Sequence, residues 1–346
     1  MRRFCLFMLI ITSFLTPAAA LEMDPPEVPA EVSAVFPEKT ESFGQDLLAL
    51  MKNILLQADS SLAEAQKTCI CLIAAVLIIS ILQTFEGPVK SVSGIAGTLA
   101  IATILLKNTK VLFGLAADTI ARIGDYGKLL LPVMTSAMAA QGQVTSAAAI
   151  YTGSVFFISL LSGLIAECLL PMVYFFLALT TASSATGEGI LKNLAGMTKG
   201  LIGWTLKTAL ILFTSYMSIT GIVSGTTDAA ALKAAKVTIS TVVPVVGGIL
   251  SDASESVLVS AGLVKNAAGT YGLLALLAIF LGPFLRIGVQ YLTLKLTAAI
   301  CSIFGSKQMS ELTADFSSGL GLLLGMTGAV CTMYLISTVC FMKGVS

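Results

Sequence analysis

The stretch Val237–Val264, VTISTVVPVVGGILSDASESVLVSAGLV, decides how the rest of the chain is read. An apolar, β-branched run leads to Pro244 and Gly247-Gly248, then to a polar turn with Asp252 and Glu255, then to apolar residues again. It is apolar enough to enter a bilayer, yet broken by residues that interrupt helices. Lipid tolerates such a break only where neighbouring protein shelters the freed backbone. The same pattern stands upstream at Leu129–Ile150, LLLPVMTSAMAAQGQVTSAAAI, with Pro132 at the break and Gln141 and Gln143 at the polar tip. Two broken hairpins predict an internally duplicated, all-α membrane domain.

Composition agrees with that class. The 346 residues are 56% hydrophobic and 11% charged, with mean hydropathy +0.94, whereas a soluble domain is about 25% charged. A polytopic helical membrane protein is expected. Net charge +1, with no basic patch interleaved with aromatics, gives no reason to expect nucleic acid as a partner. The chain has no histidine, which removes His-dependent triads, His-ligated zinc and the usual switch near neutral pH. Cys69 and Cys71 form a C-x-C too close for ordinary disulfide geometry, and Cys168, Cys301, Cys331 and Cys340 stand singly in apolar runs. They read as small core residues. With no nucleotide or metalloprotease motif either, no catalytic residue, cofactor or metal is expected.

Residues 1–20, MRRFCLFMLIITSFLTPAAA, read as a signal peptide: two arginines, a short apolar core and a small-residue cleavage site. Residues 21–67 are expected to form an acidic extracytoplasmic segment. Its first part is rich in proline and acid; from Phe43 onward apolar residues recur at helical spacing, which predicts an amphipathic helix that docks on protein. The multi-pass domain then occupies 68–346, with spans predicted at Cys69–Phe85, Val92–Leu106 and Leu201–Val223. Lys107–Lys128 reads as a separate interfacial helix, and SSATGEGILKN (183–193) as a loop. Two spans after an outside N-terminal segment place 107–128 outside, whereas its four Lys/Arg favour the cytoplasm.

The duplication can be phased. Pro132 and Pro244 lie 112 residues apart, as do Pro171 and Pro283, which gives units of about 118–229 and 230–342. Each broken hairpin has two geometries open to it. A re-entrant hairpin would place Asp252 and Glu255 in an acidic ring of an oligomer; an ordinary helical pair would leave them as solvated loop charges.

Four charges inside apolar tracts are the candidate conduit-lining residues: Glu167, Lys207, Arg286 and Lys295. An acid at membrane depth costs about 2.5–3.5 kcal/mol and therefore faces a cavity or pairs with a cation. The plain alternative is that Glu167 sits near a membrane surface and that Arg286 and Lys295 snorkel from a tilted span. Gly321 and Gly325, at small-xxx-small spacing, are the candidate helix-packing residues.

Three long stretches carry a family resemblance: LLLPVMTSAMAAQGQVTSAAA, STVVPVVGGILSDASESVLVSAGLVKNAAGTYGLLAL and GPFLRIGVQYLTLKLTAAICSIFGSKQMSELTADFSSGLGLLLGMTGAV. In them the chain resembles the stage III sporulation protein AE family of endospore-forming bacteria. That resemblance implies a subunit of a complex in the mother-cell membrane around the forespore, meeting other stage III proteins and a forespore-side partner, and acting as a channel or feeding apparatus. It carries over no catalytic residue. The rival reading is a stand-alone secondary transporter with a substrate site between the repeats, near Glu167, Arg286 and Lys295.

Overall fold

The computed structural model describes residues 26–27, 43–57, 59–83, 88–242, 247–304 and 307–343, with only the helical course of the backbone between 221 and 265. The signal peptide assigned to 1–20 and the break at Pro244 lie outside the described residues, as do the side chains of Asp252 and Glu255.

Among the described residues the chain is helical and contains no strand. Helix α1 (Phe43–Gln57) and α2 (Asp59–Leu82) lead into α3 (Pro88–Ala140). Next comes a rod made of α4 (Val144–Leu164), a π-turn (Ile165–Leu169) and α5 (Leu170–Thr186). The last three helices are α6 (Gly189–Val242), α7 (Gly247–Phe304) and α8 (Lys307–Lys343).

Five stretches among the described residues are long and apolar enough to cross a membrane: Leu62–Leu82, Gly94–Ala140, Val144–Thr186, Asn266–Ile303 and Lys307–Lys343. A single crossing takes about 20 residues. The 43 residues of Val144–Thr186 therefore make a rod of about 65 Å, roughly twice the hydrocarbon thickness. The bundle stands proud of the lipid.

α8 is its centre. It packs against α3, α4, α5, α6 and α7, and buries Leu312, Phe316, Leu320, Leu323, Met326, Val330, Met333 and Phe341. Beside it α6 runs parallel in one register. Lys192 pairs with Glu311 at 2.8 Å, and seven residues on Lys199 donates to Ser318 at 3.0 Å. Seven further on, Leu206 meets Gly325.

Helix α3 differs from expectation. Lys107–Lys128 is not a separate interfacial helix but the middle of one 53-residue helix that includes the expected Val92–Leu106 span. Its buried residues follow helical spacing through the charged region: Leu112, Phe113, Ala116, Ile120, Ile123, Tyr126, Leu130 and Met134. Lys107, Lys110, Asp118, Arg122, Asp125 and Lys128 are all exposed on the other side. The four cations thus belong to no loop, and the positive-inside rule takes no vote from them.

Pro132 does not end the helix; it is exposed inside α3. The chain turns nine residues later, at Gln141–Gly142–Gln143, where Gly142 takes φ +81. Gln141 and Gln143 therefore lie at the tip of an ordinary helical hairpin. Near Pro132, the hydroxyls of Thr135 and Ser136 donate back to the carbonyls of Leu131 and Pro132 at 2.7 and 3.0 Å. The same device recurs at Thr98, Thr109, Thr119 and Thr338, so hydroxyls find acceptors on their own helices, where lipid offers none.

The expected loop at 183–193 shrinks to Gly187 and Glu188. Gly187 caps α5 in the left-handed region at φ +77, its N–H donating to the Ser183 carbonyl at 2.8 Å. Leu201–Val223 falls within α6, and Pro283 lies inside α7. Gly247 and Gly248 are the first two residues of α7.

The amphipathic helix α1 docks on the chain's own α7. It buries Leu50 and Ile54, together with Asp46, and leaves Leu48, Met51, Leu55 and Leu56 exposed.

Candidate functional site

The four charges singled out in the sequence do not gather into one pocket. Arg286 on α7 reaches α2, where its Nη2 donates to the Glu64 carboxylate at 2.9 Å; both side chains are partly exposed. Lys295, nine residues further along α7, lies 5.5 Å from the centre of the Tyr291 ring and 3.3 Å from its hydroxyl. Neither contacts Glu167. Between them Gln290 is buried, and its Nε2 has no hydrogen-bond partner.

Glu167 occupies the π-turn at Ile165–Leu169. One extra residue in a helical turn leaves a bulge, and such bulges cluster at functional positions. Pro171 follows at the second position of α5, where its missing N–H is tolerated. Ile165 and Leu169 face the core, while Ala166, Glu167 and Cys168 are exposed. Among the described residues Glu167 has no cation within ion-pair distance. Lys207 on α6 is likewise exposed and unpaired among them.

The closest helix approaches lie away from the Gly321/Gly325 pair. A Cβ on Gly321 would come 3.3 Å from the Tyr291 ring, and one on Gly325 would meet Leu206 at an ordinary 3.6 Å. At Gly127 and Gly153 a Cβ would overlap the rings of Tyr334 and Tyr216 outright. Each tyrosine also donates to a carbonyl on the helix it touches, Tyr216 to Ala149 at 3.0 Å and Tyr334 to Gly124 at 3.3 Å. A tyrosine body thus fills the gap left by a glycine while its hydroxyl is satisfied. Ser154 and Ser337 add a buried hydroxyl–hydroxyl bond of 2.8 Å between α4 and α8. Sequence offered no signal for these pairs, because neither glycine has a small residue at helical spacing that marks a seam.

Two cavities flank this packing. One of about 580 Å³ lies between α3 and α4, with Tyr151, Ser159, Ser162 and Tyr334 in a mainly apolar wall and the exposed Asp125–Lys128 ion pair at its edge. The other, about 400 Å³, sits beside the Gly187 cap and gathers Lys192, Lys199, Lys307, Glu188, Glu311 and Asp315. Glu311 bridges two of the lysines, at 2.8 Å to Lys192 and 3.9 Å to Lys307. Its hydrogen bond holds the Lys192 ammonium above the ordinary lysine range. Opposite charges are matched there, so the second cavity is a neutralised polar cap. Among the described residues no three His, Cys, Asp or Glu side chains form a metal-binding group.

Comparison with known proteins gives the family directly. The family model for stage III sporulation protein AE matches residues 36–344. The chain is 23% identical over 239 residues to the stage III sporulation protein AE of Bacillus subtilis (strain 168). That alignment covers 69% of this chain and 60% of the relative's own length. No solved structure matches the chain.

Proposed function

The chain belongs to the stage III sporulation protein AE family, and from that membership we propose that it is a membrane subunit of a complex joining mother cell and forespore, required for late forespore gene expression. The carrying observation is the family match across 36–344, which spans the whole described bundle. Five membrane-capable helices fit a multi-pass subunit placed in the mother-cell membrane around the forespore. Its role there is structural or channel-forming rather than enzymatic, and its partners are the other stage III membrane proteins and a forespore-side protein. The exposed apolar face of α1, with Leu48, Leu55 and Leu56, is a surface such partners could use.

The geometry does not favour a stand-alone transporter. Its substrate site would need Glu167, Arg286 and Lys295 to converge, whereas Arg286 is held by Glu64 and Lys295 by Tyr291.

The test is deletion of the gene in its own endospore-forming host. Heat-resistant spore counts and a late forespore reporter should both collapse, and the full chain should restore them. Normal spore yield and reporter activity in the deletion strain would refute the reading.

A further inference from the structure

We propose that the outward face shared by the α4–α5 rod and α6 is where a second copy of this chain docks, with Glu167 of each copy paired to Lys207 of the other. Four observations lead there.

Each of these charges is isolated in its helix. Glu167 is the one charged residue of Val144–Thr186, and Lys207 the one charged residue between Lys199 and Asp228. Both are exposed and lack an ion-pair partner among the described residues.

They also lie at nearly one depth. The α4–α6 pair is antiparallel, with Phe157 against Phe213 at 5.8 Å between ring centres and Gly153 against Tyr216. Counting from the Phe157–Phe213 level in the same direction, Glu167 lies about 15 Å and Lys207 about 9 Å away at 1.5 Å per residue. Less than two helical turns separate them along the bundle.

Both point away from the core. The rod and α6 each pack on α8 and on one another, so their exposed residues form a common outer surface. Around the charges that surface is apolar and large, with Phe156, Leu160 and Phe175 on the rod and Leu201, Trp204 and Ile211 on α6.

Finally, the face is self-complementary. An acid and a base at similar depth on one patch meet twice when two copies are related by a twofold axis along the membrane normal. Lipid alone would leave both charges unpaired in hydrocarbon, which is costly. The π-turn is what turns Glu167 outward at that depth. The proposal requires residence in lipid and nothing about sporulation, and it is read on purified protein, so its failure and that of the sporulation reading are distinguishable.

The experiment uses full-length chain carrying two different tags, co-reconstituted in liposomes, with the exposed Cys71 and Cys168 replaced by Ala. Glu167→Cys in one tagged copy and Lys207→Cys in the other should form a disulfide joining both tags. Thiols that react with a maleimide yet give no such link, or that link only to a foreign protein, would overturn the proposal. A charge swap guards against misfolding. Glu167→Lys alone and Lys207→Glu alone should each weaken dimerisation at least about tenfold, and the two together in one chain should restore it. Single variants that dimerise like the parent, or a double variant that does not recover, would also overturn it.

Discussion

Tyr334 on α8 occupies the space above Gly127 on α3, and its hydroxyl donates to the carbonyl of Gly124, three residues back along the same helix. Two glycines one turn apart therefore have opposite tolerance. A Cβ on Gly127 would overlap the ring, while a Cβ on Gly124 would meet nothing within 4 Å. Gly127→Ala should lose about 1–3 kcal/mol by overpacking. Gly124→Ala should be neutral or gain up to about 1 kcal/mol of helix propensity. Thermal unfolding of the two variants in one detergent decides it; equal melting temperatures would show that the ring yields freely.

The same logic ranks four glycines. Gly153→Ala, facing Tyr216, should be as damaging as Gly127→Ala. Gly321→Ala should be milder, since Tyr291 need give only a few tenths of an ångström, and Gly325→Ala milder still. Tyr216→Phe isolates the hydroxyl and should cost about 1 kcal/mol, the usual net value of one hydrogen bond. A scan in which Gly325→Ala proves the worst would contradict this packing.

The Glu64–Arg286 pair ties α2 to α7. Glu64→Gln and Arg286→Gln should each destabilise, and the double variant should cost less than their sum. Because both side chains are partly exposed, the coupling should stay near the 0–1 kcal/mol of surface pairs where water reaches them. A double-mutant cycle run in detergent and again in bilayers should show a larger coupling in lipid if the pair lies within the hydrocarbon. Strict additivity in both would mean that the contact does no stabilising.

Helix α1 should separate stability from assembly. Leu50→Asp places a charge in a fully buried site on α7 and should cost several kcal/mol. Leu55→Ser changes an exposed position and should leave the melting temperature unchanged within about 0.5 kcal/mol. Its effect should fall instead on co-purification with partner subunits. Should Leu55→Ser melt early, the exposed face of α1 is packed rather than free.

The membrane class and the Gln141–Gln143 tip were legible because composition and local polarity report them directly. Glu167 was legible as an anomaly, one acid in a long apolar tract, though nothing local announced the π-turn that carries it. Helix α3 was misjudged for a physical reason. Hydropathy averages over all faces, so the charges from Lys107 to Lys128 masked the buried stripe of Ile120, Ile123, Tyr126 and Leu130 beneath them. Pro132 was read as a break because proline usually is one, but on an exposed face of a well-packed helix the missing hydrogen bond is tolerated. Tyrosine–glycine contacts such as Tyr334–Gly127 join residues about two hundred positions apart, and no local pattern encodes them.

The π-turn also sets the phase of everything after it. Upstream, Gly153 and Phe157 address α6; downstream, Tyr174 meets Phe113 on α3 and Leu177 meets Gly319 on α8. Excising one residue between 165 and 169 would relax the bulge into plain α-helix and rotate Leu170–Thr186 by about 100°, setting apolar side chains against the wrong neighbours although no contact residue had been replaced. The rod is in effect two helices with different allegiances on one axis, and a single surplus residue keeps them apart.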